Sequence, residues 1–129
     1  MTDDDLPSAE EILATHEEIE DAYDMKYRGP AVAAPRLELR RLLDDIEDGD
    51  LYYRAAQLLR DLVTSHFFEN GNKRTAWVTT REFLAQYDER PAERGEVAER
   101  VLRRIRRYDV DELAEWIETG EIDEERLGP

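Results

Sequence analysis

The sequence predicts an all-α protein, a compact bundle of about six helices. Three observations carry that expectation. Apolar residues recur at spacings of three and four through most of the chain, the period of helices with one buried face. Caps and breakers divide these stretches: Ser8 with Glu11, Asp48-Gly49-Asp50, Asp109 with Glu112, and Pro30, Pro35 and Pro91. No repeat, linker or strand-rich segment interrupts them. A chain of 129 residues reads as one domain over 1–129, able to bury roughly two-thirds of its unfolded surface.

In chain order, Met1 to Leu6 read as a loose acidic tail. Ser8 and Glu11 form a capping box that opens a helix to about Tyr23, with Ile12, His16, Ile19 and Tyr23 on its inner face. His16 therefore reads as a hydrogen-bonded core histidine. Asp24 to Pro35 reads as a loop containing Gly29, Pro30 and Pro35. A second helix spans Arg36 to Ile46, with Leu39, Leu42, Leu43 and Ile46 inward. The third spans Leu51 to Ser65, burying Leu51, Ala55, Leu58, Leu59, Leu62 and Val63, and its period brings His66 out beside the core. A fourth runs from Asn72 to Tyr87, with Ala76, Trp77, Phe83 and Leu84 apolar. Asp88 to Gly95 is a polar link. A fifth helix, Glu96 to Tyr108, turns Val97, Val101, Ile105 and Tyr108 inward. Asp109 caps the last, which carries Val110, Leu113, Ala114 and Ile117 and ends near Gly120. Glu121 to Pro129 reads as a loose end.

The chain holds 33 acidic and 18 basic side chains, a net charge of −15, and 40% of its residues are charged. Repulsion from a phosphate backbone argues against nucleic acid as a partner. A carboxylate-rich surface with only two lysines, Lys26 and Lys73, fits a protein soluble in concentrated salt, so a halophilic source is expected. Lys73 is correspondingly unusual. Arg100, Arg103, Arg104, Arg106 and Arg107 form a basic island, read as pairing internally with carboxylates. The absence of cysteine excludes disulfides and thiol chemistry. No apolar run approaches a membrane span and the Met1-Thr2-Asp3-Asp4-Asp5 start is unlike a signal peptide, so a cytoplasmic protein is expected.

The chemistry concentrates in His66-Phe67-Phe68-Glu69-Asn70-Gly71-Asn72-Lys73-Arg74-Thr75. Gly71 permits φ > 0, which lets backbone amides converge on an anion. A helix start at Asn72, a favoured N-cap type, presents unpaired N–H groups and the positive end of the dipole. Lys73 adds a compact cation and Arg74 a planar fork that matches phosphate oxygens. Histidine is the side chain whose ordinary titration suits proton transfer near neutral pH, which makes His66 the candidate base. Each feature alone is common; their coincidence in ten residues points to a phosphate site.

This stretch resembles the signature of the Fic/Doc family, H-x-F-x-[D/E]-G-N-[G/K]-R, at His66, Phe68, Gly71, Asn72, Lys73 and Arg74. Lysine followed by Arg-Thr-Ala is similar to the Doc branch, whose best-known member is a toxin that phosphorylates a translation elongation factor. The resemblance implies transfer of the γ-phosphate of ATP, with Mg2+, to a hydroxyl of a protein target such as a translation factor. It also implies His66 as base, Gly71, Asn72, Lys73 and Arg74 on phosphate, and a small antitoxin as partner. The family's acidic metal ligand falls here on Asn70. The resemblance further implies a short β-hairpin flap near Asp24 to Pro35, with Ala31-Val32-Ala33 as its edge. Neither end of the chain carries an [S/T]-x-x-x-E-[G/N] autoinhibitory motif: Ser8 is followed four places on by Ile12, and Thr15 by Ile19. Alternatives are AMP transfer, a non-catalytic nucleotide- or partner-binding module, and a nucleic-acid binder built on the arginine island.

Overall fold

Helices form where the periodicity places them. The computed structural model describes residues 6–92 and 96–128, and within these there are six: α1 (Ala9–Ala22), α2 (Pro35–Asp44), α3 (Leu51–Ser65), α4 (Asn72–Ala85), α5 (Glu96–Arg103) and α6 (Val110–Thr119). The all-α expectation is met. The Ser8–Glu11 and Asp109–Glu112 capping boxes both form, and Asp50 caps α3 through the Tyr53 amide. Helix α2 starts one residue earlier than expected. Pro35 occupies its first turn, where a fixed φ and a missing N–H are both tolerated.

Helix α3 is the axis of the bundle. It packs against α4 on one side and α6 on another, while α1 joins α4 to α2. Eight of its residues are buried, from Arg54 to Val63, and Ala55, Ala56, Leu58 and Leu59 are fully so. The two alanines let neighbouring backbones approach, and each buried leucine contributes roughly 1.5–3 kcal/mol. Trp116 of α6 packs on Trp77 of α4 at 5.6 Å between ring centroids.

Four expectations need correction. Tyr23 ends α1 rather than facing the core, and is 57% exposed. No hairpin flap forms among the described residues. Instead Pro30 makes one antiparallel bridge with Phe68, in the motif loop itself. Helix α5 stops at Arg103 and gives way to a 3-10 turn over Ile105–Arg107. That tighter winding aligns positions three apart, which buries Ile105 and Tyr108 together. The end of the chain is not loose up to Gly128: a second 3-10 turn, Glu124–Leu127, buries Leu127. Arg126 fixes it, bonding the Arg107 carbonyl at 3.1 Å and the Glu112 carboxylate at 2.7 Å. The Arg126 guanidinium holds the Glu112 carboxyl below its usual range. Of the expected N-terminal tail, Leu6 is half-buried against the core, and residues 1–5 lie outside the described residues. So do 93–95 of the polar link.

Helix α4 buries three threonines, Thr75, Thr79 and Thr80, whose hydroxyls find no partner among the described residues. A buried hydroxyl without a hydrogen bond is destabilising, and removing it at constant shape is neutral or favourable. Thr80 is fully buried. Thr80→Val is therefore expected to stabilise the protein by about 1 kcal/mol, read as a higher urea midpoint with unchanged slope.

Candidate active site

The loop from His66 to Gly71 is held from three directions. His66 ends α3 in the left-handed conformation, φ 50°, ψ 54°. This reverses the chain and leaves the imidazole exposed, while Phe67 and Phe68 turn inward to 5% exposure each. From α1, the buried His16 stacks flat on Phe68 at 3.7 Å between centroids, and its Nε2–H donates to the Asn70 carbonyl at 2.8 Å. A carbonyl only accepts, so Nε2 bears a proton, while Nδ1 lies 3.6 Å from the Glu20 carboxylate. From the 29–31 segment, the Ala31 N–H donates to the Phe67 carbonyl at 2.6 Å, and the Glu69 N–H donates to the Gly29 carbonyl at 3.0 Å. Glu20 anchors that segment in turn, accepting the Gly29 N–H.

Asn72 supplies the third restraint. It is the first residue of α4 rather than its cap; the cap is Gly71, at φ 79°. The Asn72 side chain reaches back to Phe68, accepting its N–H at 3.1 Å and donating to its carbonyl at 2.8 Å. Both hydrogen-bonding groups of its amide thus close the loop. Gly71 has no side chain to cover the first turn of α4, so no side-chain cap stands over those amides. Its own N–H donates to Asn70 Oδ1 at 2.8 Å.

Gly71 is where glycine is required. A Cβ there would meet Met25 Cε at 3.0 Å, which a flexible methionine can relieve, but left-handed φ costs a non-glycine residue roughly 1–2 kcal/mol. Gly71→Ala is expected to destabilise by about that amount and to shift the start of α4, lowering activity more than thermal stability; paired melting and turnover assays read the difference.

The loop opens on a cleft of about 430 Å³. Its near wall is Val63, His66 and Glu69 to Lys73; its far wall is Leu102 to Arg107. Of the residues singled out from the sequence, His66, Asn70, Gly71, Asn72 and Lys73 therefore share one cavity. Arg74 does not. Its guanidinium lies over the Tyr23 ring at 4.1 Å, a cation–π contact, and it lines a neighbouring depression with Lys73 and Trp77.

Sequence reasoning missed the arginines of the far wall. The signal was present, a basic island in an acidic chain, but it was assigned to internal ion pairs. Among the described residues only Arg103 behaves so, meeting Glu99 at 3.2 Å. Arg104, Arg106 and Arg107 bond neutral backbone carbonyls. The cleft is thus lined by five cations, Lys73, Arg103, Arg104, Arg106 and Arg107, and one carboxylate, Glu69; with Arg103 paired to Glu99, four cations remain. Its local sign is opposite to that of the chain.

A magnesium ion arriving with nucleotide phosphates takes oxygen donors, commonly one or two from the protein. Glu69 and Asn70 offer such oxygens on the near wall, Asn70 Oδ1 already accepting the Gly71 amide. No cluster of three or more acidic or histidine side chains suited to a metal occurs among the described residues. The residues fit an ion carried by phosphates, not a closed protein cage. No described helix is long and apolar enough to cross a membrane.

No curated protein matches the chain. A sequence model of the Fic/DOC family matches residues 5–84, from just before α1 almost to the end of α4, so the arginine wall lies beyond it. That match spans more than half of the 129 residues and contains the whole loop from His66 to Arg74; this chain belongs to the Fic/DOC family.

Proposed function

We propose that the protein is a Doc-like phosphotransferase that moves the γ-phosphate of ATP to a hydroxyl of a protein target. One observation carries this reading: the exposed His66 imidazole opens onto the same cleft as Lys73 and the uncapped first turn of α4. In this reaction the target hydroxyl loses its proton to His66 as its oxygen bonds the γ-phosphorus. The bond from γ-phosphorus to the β–γ bridging oxygen breaks, and ADP leaves. Base catalysis of this kind is worth on the order of 10²–10⁴ in rate. Lys73 and the α4 amides at Asn72 and Lys73 balance charge on the phosphate oxygens. Asn72 contributes its backbone here, its side chain being committed to Phe68. Gly71 contributes the turn that aims these groups, and Arg74, held on Tyr23, borders the site. Glu69 and Asn70 are the side chains that would hold a magnesium ion, which when bound would supply charge neutralisation on the phosphates.

In the same reading the protein is the toxin of a toxin–antitoxin pair. A translation factor is its target, and a small antitoxin segment folding on an apolar groove restrains it. The test is incubation of the chain with cell extract and ATP labelled at the γ- or α-phosphate, followed by mass spectrometry of the labelled protein. Label from γ-ATP, with one added phosphate on a hydroxyl residue, is the expected result. Label from α-ATP would assign AMP transfer instead. Retained ATP binding without label from either would leave a binding module in which Asn70 has replaced a needed carboxylate.

A further inference from the structure

The expected phosphate fork, Arg74, is withdrawn from the His66 cleft onto Tyr23. The cleft is nonetheless strongly cationic, and its charge comes from the opposite wall. How those arginines are held decides what they can do. Several arginines elsewhere meet carboxylates, Arg28 with Asp21 and Asp24, Arg36 and Arg40 with Glu10, and Arg126 with Glu112, as Arg103 of the wall meets Glu99. Such pairs cancel charge. Arg106 instead donates from Nη2 to the Thr64 carbonyl at 3.0 Å, in the last turn of α3, two residues before His66. Arg107 donates from Nη1 to the carbonyls of Arg126 and Gly128, both at 2.6 Å, and Arg104 donates from Nε to Gly128 at 3.2 Å. A neutral carbonyl orients a guanidinium without cancelling its charge. Among the described residues no carboxylate lies within ion-pairing distance of these three.

A guanidinium carries five N–H donors. The carbonyl bonds occupy one on Arg106 and two on Arg107, so each has donors to spare while its position is fixed. We infer that this wall, with Arg106 and Arg107 as its principal donors, binds the polyphosphate of the nucleotide and takes the fork role that Arg74 does not fill. The inference rests on the reading that the cleft takes a nucleotide. With Arg103 paired to Glu99, the four cations Lys73, Arg104, Arg106 and Arg107 around about 430 Å³ exceed what the single lining carboxylate Glu69 calls for and suit a ligand with several negative charges on adjacent groups. Planar forks match phosphate oxygens two at a time. In a chain of net charge −15 a polyanion is repelled at long range, so affinity depends on this local reversal of sign. ATP is expected to bind better than ADP, and ADP better than AMP.

The test measures binding of ATP, ADP, AMP and inorganic tripolyphosphate to the full chain by calorimetry, each with magnesium. Arg106→Gln and Arg107→Gln are each expected to weaken ATP about 10-fold, the usual effect of losing one charge-assisted hydrogen bond, and to affect AMP least. Arg106→Lys keeps the charge without the fork and should fall between. Arg40→Gln removes the same charge outside the cleft and should leave ATP affinity unchanged. Tripolyphosphate should compete with ATP on the wild type and about 10-fold less well on Arg106→Gln. If Arg107→Gln melts early because the chain end undocks, Arg106→Gln decides alone. Wild-type ATP affinity in a folded Arg106→Gln overturns the inference. The same affinity with loss of transfer to the protein target also overturns it, assigning the wall to an acidic segment of that target. Tight ATP binding through the wall with no transfer would sink the kinase reading and leave the inference standing.

Discussion

His66→Ala is expected to lower phosphoryl transfer by roughly 10²–10⁴-fold, the usual contribution of a positioned general base, with little change in ATP affinity. The imidazole is exposed, so its removal leaves no cavity. His66→Gly sharpens the test. His66 sits at φ 50°, a conformation that costs a non-glycine residue roughly 1–2 kcal/mol and persists where function requires it. Glycine adopts it without that cost. His66→Gly should therefore be inactive yet melt no lower than the wild type. An inactive variant that is at least as stable separates chemistry from folding, since loss of structure then accounts for none of the lost rate. Transfer at the wild-type rate in either variant would remove His66 from the mechanism. Single-turnover measurement of label transfer, with differential scanning calorimetry on the same samples, reads both quantities.

Phe68→Ala is expected to have the largest effect on stability, about 3–5 kcal/mol, as for other buried phenylalanines truncated to alanine. For a chain of this length that corresponds to a fall in melting temperature of roughly 10–20 °C. The ring is 5% exposed and stacked on His16, while its backbone N–H and carbonyl are both taken by Asn72. Truncation opens a cavity beneath the loop and loosens the groups that aim His66 and the start of α4. Activity measured well below the melting point should fall as well. Phe68→Leu, which fills more of the space, should recover much of the stability. A melting temperature within a few degrees of wild type in Phe68→Ala would show that the loop is held by its hydrogen bonds alone.

Much of this protein was legible in its residues because helices are local objects. The limits of α3 followed from its period, from Asp50 ahead of it and from the motif loop behind it. His16 read as a core histidine from its place on the α1 stripe, and it is buried at 3% exposure. Its use was not legible. The bond from its Nε2 to Asn70 joins residues 54 apart in the chain, and no spacing rule reaches that far. The loop with Gly29 and Pro30 was recognised as irregular, yet its pairing with Phe67 and Glu69 is a contact between two segments that each look like loop when read alone.

The motif and the arginine island divide in the same way. The ten residues from His66 to Thr75 determined by themselves that a turn followed by a helix start would gather an imidazole, amides and a cation, since every one of those relations falls within a few residues. Which cations share the cleft with His66 was settled only by the packing of the 3-10 turn Ile105–Arg107 against α3. That packing sets Arg106 on the Thr64 carbonyl, while the end of α1 draws Arg74 onto Tyr23. Charge acts through space rather than along the chain, so the sign of a cleft is a property of the walls that meet there. The sequence supplied one wall, and tertiary structure chose the other.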